Sequence, residues 1–113
     1  MDRATKAGVF RPASFLIGLA RKGVGREDTA YIAGCLFRVV TLCAHALHAR
    51  DRRWLINEKG AVTAASRLAS APDEFASLAH GLLAAPGHRP TDLSAAITAA
   101  DRLVKEIEIA CRA

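Results

Sequence analysis

The sequence predicts an all-α protein, an up-and-down bundle of four to five helices, and three observations carry that expectation. Apolar residues make up 51% of the chain but aromatics only 5%, so the apolar share rests on Ala and Leu, which suit closely packed helices. Apolar positions recur at spacings of three and four, and no stretch alternates with the period of a strand. The periodic stretches are joined by short connections, which favour antiparallel neighbours. At 113 residues a single helical domain over 1–113 is expected, and neither an internal repeat nor a linker divides it.

Residues 1–11 show no clear period and are expected to form a loose arm. Pro12 suits the first turn of a short helix over 12–22, with Phe15, Leu16, Leu19 and Ala20 on one face and Gly23 to stop it. Asp28 is the expected N-cap of the longest element, 29–50, which is apolar nearly all round and is therefore expected to be surrounded by other helices, with Leu42 in the core. Asn57 is the expected cap of a helix over 58–69, with Glu58 favourably placed against its positive end. Pro72 opens a fourth helix to about residue 84, and "APGHRP" ends it. The last helix, 91–111, carries Leu93, Ala96, Ile97, Ala100, Val104, Ile107 and Cys111 on one stripe.

The formal charge of +5 and a pI near 9.6 admit anionic partners such as nucleotides, RNA or a membrane surface, and equally admit ordinary solubility. Basic residues concentrate locally at Arg21, Lys22 and Arg26 and again at Arg50, Arg52, Arg53 and Lys59. Cys35, Cys43 and Cys111 make an odd count without a CxxC, and Cys35 and Cys43 sit two helical turns apart, about 12 Å and too far for a disulfide. All three are expected reduced and buried, in a cytoplasmic protein. No apolar signal-like region opens the chain and no stretch is expected to span a bilayer, so no membrane partner is expected.

Arg38 and His45 lie seven apart, on one face of the most apolar helix. One reading has Arg38 snorkelling or pairing with Asp101 or Glu106 while His45 hydrogen-bonds inside the bundle. The other has Arg38 facing a cleft, where a planar guanidinium grips phosphate oxygens bidentately. The Arg, six residues, His spacing resembles that of HEPN-type ribonucleases, which are small all-helical domains. Those enzymes usually carry a polar residue directly after the Arg, where this chain has Val39, so RNA cleavage is not the first expectation.

A broader likeness runs over about residues 28–110. "CLFRVV", then "RRWLINEKGAV" and "RLASAPDEF", resemble the C-terminal helical domain of nucleotidyltransferases that include the aminoglycoside adenylyltransferases and kanamycin nucleotidyltransferase. In that family an Arg in a buried helix is followed about twenty residues on by a Lys near the next helix start, an Ala-rich turn and an "RLP"-like exit. Arg38, Lys59, the Ala61 to Ala65 segment and Arg67-Leu68 hold those places here. The resemblance implies that Arg38 and Lys59 reach a nucleotide triphosphate, with Asn57 and Glu58 shaping the turn beneath it. From the residues alone, an amine and a guanidinium beside helix-terminal N–H groups also make a reasonable phosphate site, while Lys59 is equally open to being a solvated first-turn lysine.

The catalytic half of that family carries a Gly-Ser turn and an Asp-x-Asp pair that holds Mg²⁺; nothing here matches it, and no GxGxxG or P-loop occurs. The chain is therefore not expected to catalyse alone, to carry a cofactor of its own or to bind a metal directly; Mg²⁺ would arrive with a nucleotide and a catalytic domain or subunit. His48, His80 and His88 lie on separate elements, which does not suggest zinc. Trp54 is open to stacking on a base or to sealing the core. Three functions follow: a helical domain that completes a triphosphate or acceptor cleft with a catalytic partner, a HEPN-like ribonuclease or toxin component, and a structural bundle that homodimerises through an alanine-rich face.

Overall fold

The computed structural model describes residues 3–53 and 58–112 and shows an all-α bundle of five helices, with no strand among those residues. They are α1 (Arg3–Gly23), α2 (Thr29–Arg50), α3 (Ala61–Ser66), α4 (Phe75–Ala84) and α5 (Pro90–Arg112), with one 3-10 turn at Val24–Arg26. The three long helices, α1, α2 and α5, pack on one another, and the two short ones close the bundle from α2 round to α5.

Alanine sets the closeness of this packing. Ala13, Ala20, Ala44, Ala46, Ala65, Ala79 and Ala100 are wholly buried, and a side chain of one methyl lets helix backbones approach with little side-chain entropy lost. Larger groups, chiefly Ile32, Leu36, Leu47, Phe75, Leu93, Ile97 and Ile107, fill the space between. The stripe expected on the last helix is observed, with Ala96 half-buried at its edge and Leu103 added to it.

The expected loose arm over 1–11 is replaced by helix from Arg3, with Pro12 inside α1. Val9 and Phe10 explain this, because they are buried and continue the stripe formed by Ala13, Leu16, Ile17 and Ala20. Burying them offsets the hydrogen bond that Pro12 cannot donate, and Pro12 itself is exposed. Phe15, expected on the inner face, is 67% exposed.

Asp28 caps α2 as expected, its carboxylate accepting the Tyr31 N–H at 3.2 Å. The surrounding of α2 is a correction. Its buried residues follow steps of three and four from Ile32 to Leu47, whereas Tyr31, Gly34, Phe37 and Arg38 are exposed and Thr41, Leu42 and His45 are half-buried. Two aromatics on the solvent side made this helix read as apolar all round. The expectation that no stretch could span a bilayer is also corrected, since α2 is long and apolar enough; half of its most apolar window is buried inside the bundle, as suits a central core helix.

The third helix is shorter than expected, six residues from Ala61 rather than twelve from Glu58. Gly60 holds φ +71°, a left-handed conformation that glycine adopts without cost and that ends any helix trying to pass through it. The proposed Asn57 cap and the Trp54 seal lie outside the described residues. The fourth helix begins at Phe75, three residues after Pro72, whose carbonyl accepts the Phe75 N–H at 3.0 Å.

Leu42 packs only partly against the core. Leu42→Ala is accordingly expected to cost about 1–2 kcal/mol in urea unfolding, below the range for a fully buried leucine. A loss of about 4 kcal/mol would mean the residue is enclosed.

Candidate functional site

The exposed face of α2 carries the first candidate residues because the opposite face is committed to the core. Arg38, Thr41 and His45 fall at intervals of three and four, so they stack along one side of the helix. Thr41 spends its hydroxyl on the helix, donating to the Phe37 carbonyl at 2.9 Å. Arg38 is exposed, and among the described residues it forms no ion pair. The carboxylates expected to meet it do not pair with it: Asp101 Oδ2 lies 3.1 Å from Lys105 Nζ, and Glu106 lies beside Ile109 and Ala110 on another part of the surface. His45 is half-buried and makes no hydrogen bond among the described residues. The histidine that bonds inside the bundle is His48, buried, whose Nδ1–H donates to the Ala44 carbonyl at 2.8 Å.

Arg38, Thr41, Leu42 and His45 instead line a cavity of about 200 Å³ with Pro12 from α1 and Glu58 from the turn before α3. This turn is the 58–60 segment, in which the Glu58 carbonyl accepts the Ala61 N–H at 3.1 Å and Gly60 reverses the chain. The nucleotidyltransferase resemblance pairs Arg38 with Lys59. The structure puts the neighbouring Glu58 into the cavity wall, and Lys59 is exposed beside it in the chain. Lys59 precedes the helix rather than standing in its first turn, and six residues of α3 give only a short stack of peptide dipoles, so any grip on an anion must come from side chains.

The cavity's chemistry is mixed, with a guanidinium, an imidazole and a carboxylate around a volume that suits one phosphate group better than a whole nucleotide. A bare anion would meet the Glu58 carboxylate at a cost. A triphosphate carrying Mg²⁺ would present its cation to that carboxylate and its oxygens to Arg38, in keeping with the way magnesium is held jointly by a single carboxylate and substrate phosphates. Among the described residues no group of three His, Cys, Asp or Glu side chains is placed to hold a metal ion.

A second basic region is assembled only by the fold. A basin of about 940 Å³ lies where α2 ends and α3 exits, and its walls hold His48, Arg50, Arg52, Arg53 and Arg67 with the carboxylate of Asp51. The cluster at Arg50 to Arg53 is visible in the sequence, but the arrival of Arg67 depends on the tertiary fold.

All three cysteines are free and buried; burial pushes the Cys43 thiol up to about 12 and raises Cys111 as well, and Cys111 donates its S–H to the Ala46 carbonyl at 3.7 Å. No family model, curated protein or solved structure matches the chain, so the reading of its sites rests on its own residues.

Proposed function

We propose that this chain is a helical binding module that holds the phosphate end of a magnesium-bound nucleotide and completes a nucleotide or acceptor cleft with a catalytic domain or subunit, as in nucleotidyltransferase-like systems. One observation carries the reading: Arg38, with no ion-pair partner among the described residues, shares a small cavity with His45 and with the turn that bears Glu58 and Lys59, although the two segments are about twenty residues apart. An unpaired arginine at the mouth of a cavity is available to a phosphate without first breaking an internal bond. The volume fits a phosphate, leaving the base and the acceptor to contacts that another chain or domain would supply. The same module, lacking paired catalytic carboxylates in this cavity, contributes binding rather than bond-making.

A double-mutant cycle by calorimetry tests it, with a nucleoside triphosphate and Mg²⁺ titrated into the chain. Arg38→Ala is expected to weaken binding about tenfold, the worth of a charge-assisted hydrogen bond, and Lys59→Ala several-fold. The two losses should be less than additive if both groups hold one phosphate chain. Glu58→Gln should reduce the benefit of Mg²⁺. Unchanged binding in both single variants would remove the proposal.

The shared cavity of Arg38 and His45 also favours a second reading, a HEPN-like ribonuclease in which His45 moves a proton. Val39, which follows Arg38 where that family is usually polar, is wholly buried and cannot take part. Metal-independent cutting of single-stranded RNA, lost in His45→Ala with the fold intact, would replace the binding-module reading with this one.

A further inference from the structure

The arginine basin at the end of α2 has a physical peculiarity that helix chemistry does not explain. Basic residues are favoured near a helix C-terminus because its free carbonyls carry partial negative charge, and that accounts for Arg50 in the last turn. It does not account for Arg52. The α2 C-terminus is closed by two backbone bonds, Arg53 N–H to the His48 carbonyl at 2.8 Å and Arg52 N–H to the Ala49 carbonyl at 3.2 Å. This is the pattern in which the residue after the cap turns left-handed, a place usually taken by glycine. Arg52 occupies it with φ +55°, so a side chain with a β-carbon is held where its absence would be easier.

Strain alone marks nothing, since Glu27 has φ +52° at the turn before α2 as well. What distinguishes Arg52 is where it stands. It joins the exposed Arg53 and, from the far side of α3, the exposed Arg67 around one basin, where Asp51 is the carboxylate among the described lining residues. That carboxylate is committed to the fold, because Asp51 Oδ2 accepts the Ser70 N–H at 3.1 Å and so ties the exit of α3 to the end of α2. Three exposed guanidinium groups gathered at one basin raise the local potential felt by an anion. Beside the basin-lining Ala69, the buried Ser70 hydroxyl has no hydrogen-bond partner among the described residues.

We infer that this basin is a second anion site, separate from the Arg38 cavity, that takes a compact polyphosphate, the di- or triphosphate part of a small ligand. Guanidinium forks match phosphate oxygens in pairs, and several of them converging from two segments match a ligand with several phosphates. A volume of about 940 Å³ lies in the range of small-ligand sites. The charges gather at one basin rather than along a stripe, which favours a compact ligand over the extended backbone of a nucleic acid. In this account Arg52 is kept against the local preference for glycine because its side chain serves the ligand, a trade of conformational ease for binding that is found at functional sites.

The test is calorimetric titration of the full chain with inorganic tripolyphosphate, with an eight-nucleotide single-stranded RNA as the competing probe, on the unaltered protein and on Arg52→Gly, Arg67→Ala and Arg38→Ala. Tripolyphosphate is expected to bind, and Arg52→Gly and Arg67→Ala should each weaken its tighter site about tenfold. Arg38→Ala should leave that site unchanged, so the result stands or falls independently of the cavity on α2. Arg52→Gly should also raise Tm by about 2–5 °C, showing that the weaker binding does not come from damage to the fold. Added salt should weaken binding in the unaltered protein more than in Arg67→Ala. Absence of tripolyphosphate binding, affinity unchanged by both arginine substitutions, or binding of the RNA alone would each overturn the inference.

Discussion

Phe75→Ala is expected to lower the stability of this protein by about 3–5 kcal/mol, a large part of the roughly 5–15 kcal/mol typical of a domain. Phe75 is the largest wholly buried side chain among the described residues and stands at the head of α4. That helix is only ten residues long and could not persist in water by itself, so its place depends on what it buries against α3 and α5. Replacing the ring by a methyl group removes both the transfer energy and the packing of the surrounding side chains. The loss would be greatest if the site cannot collapse, and the backbone bond from Phe75 to the Pro72 carbonyl restricts such a collapse by fixing the start of the helix. Urea unfolding with an unchanged slope and a midpoint lowered by that amount is the expected result. A loss below about 1 kcal/mol would show that α4 does not belong to the core.

Alkaline conditions provide the second large effect. Burial raises the Cys43 thiol from an ordinary 9.0 to about 12 in the folded chain, because a thiolate there would lose its water without gaining a counter-charge. The folded state therefore holds the proton more tightly than the unfolded state. The resulting stability is complete below pH 9.0 and is lost as pH rises towards about 12. In that window each pH unit costs about 1.4 kcal/mol, or about 4 kcal/mol across it. Other groups titrate in the same range, and comparison with Cys43→Ala removes their contribution. The substituted protein should lose stability with pH much more gradually, and at pH 8 the native thiol should resist alkylation until the chain unfolds. Parallel pH profiles for the two proteins would contradict this.

Helix ends and faces were legible where a single residue determined them. Asp28 announced the start of α2, and the stripe from Leu93 to Cys111 described α5 well. Pro12 misled because its local penalty is outweighed by the burial of Val9 and Phe10, a tertiary effect. Gly60 shortened α3 by taking a left-handed conformation, which a glycine permits but does not announce. Tyr31 and Phe37 made α2 look apolar on every side, so Arg38 was placed among packed helices when it faces outward. For the sites, the spacing of Arg38 and His45 was enough to put them on one face, but the approach of Glu58 and the convergence of Arg67 on Arg52 and Arg53 require chain reversals that no local pattern encodes. Arg52 was hidden for the opposite reason, since its conformation runs against local preference.

The central claim is that the exposed face of α2 and the turn before α3 together hold the phosphate end of a nucleotide. The measurement that reaches it most directly is a titration of the isotopically labelled chain with a magnesium-bound nucleoside triphosphate, followed by amide resonances. The account predicts that Arg38, Thr41 and His45 shift together with Glu58, Lys59 and Gly60, and that all six saturate along one binding curve. Shifts confined to Arg52, Arg53 and Arg67, or no shift at millimolar ligand, would contradict it.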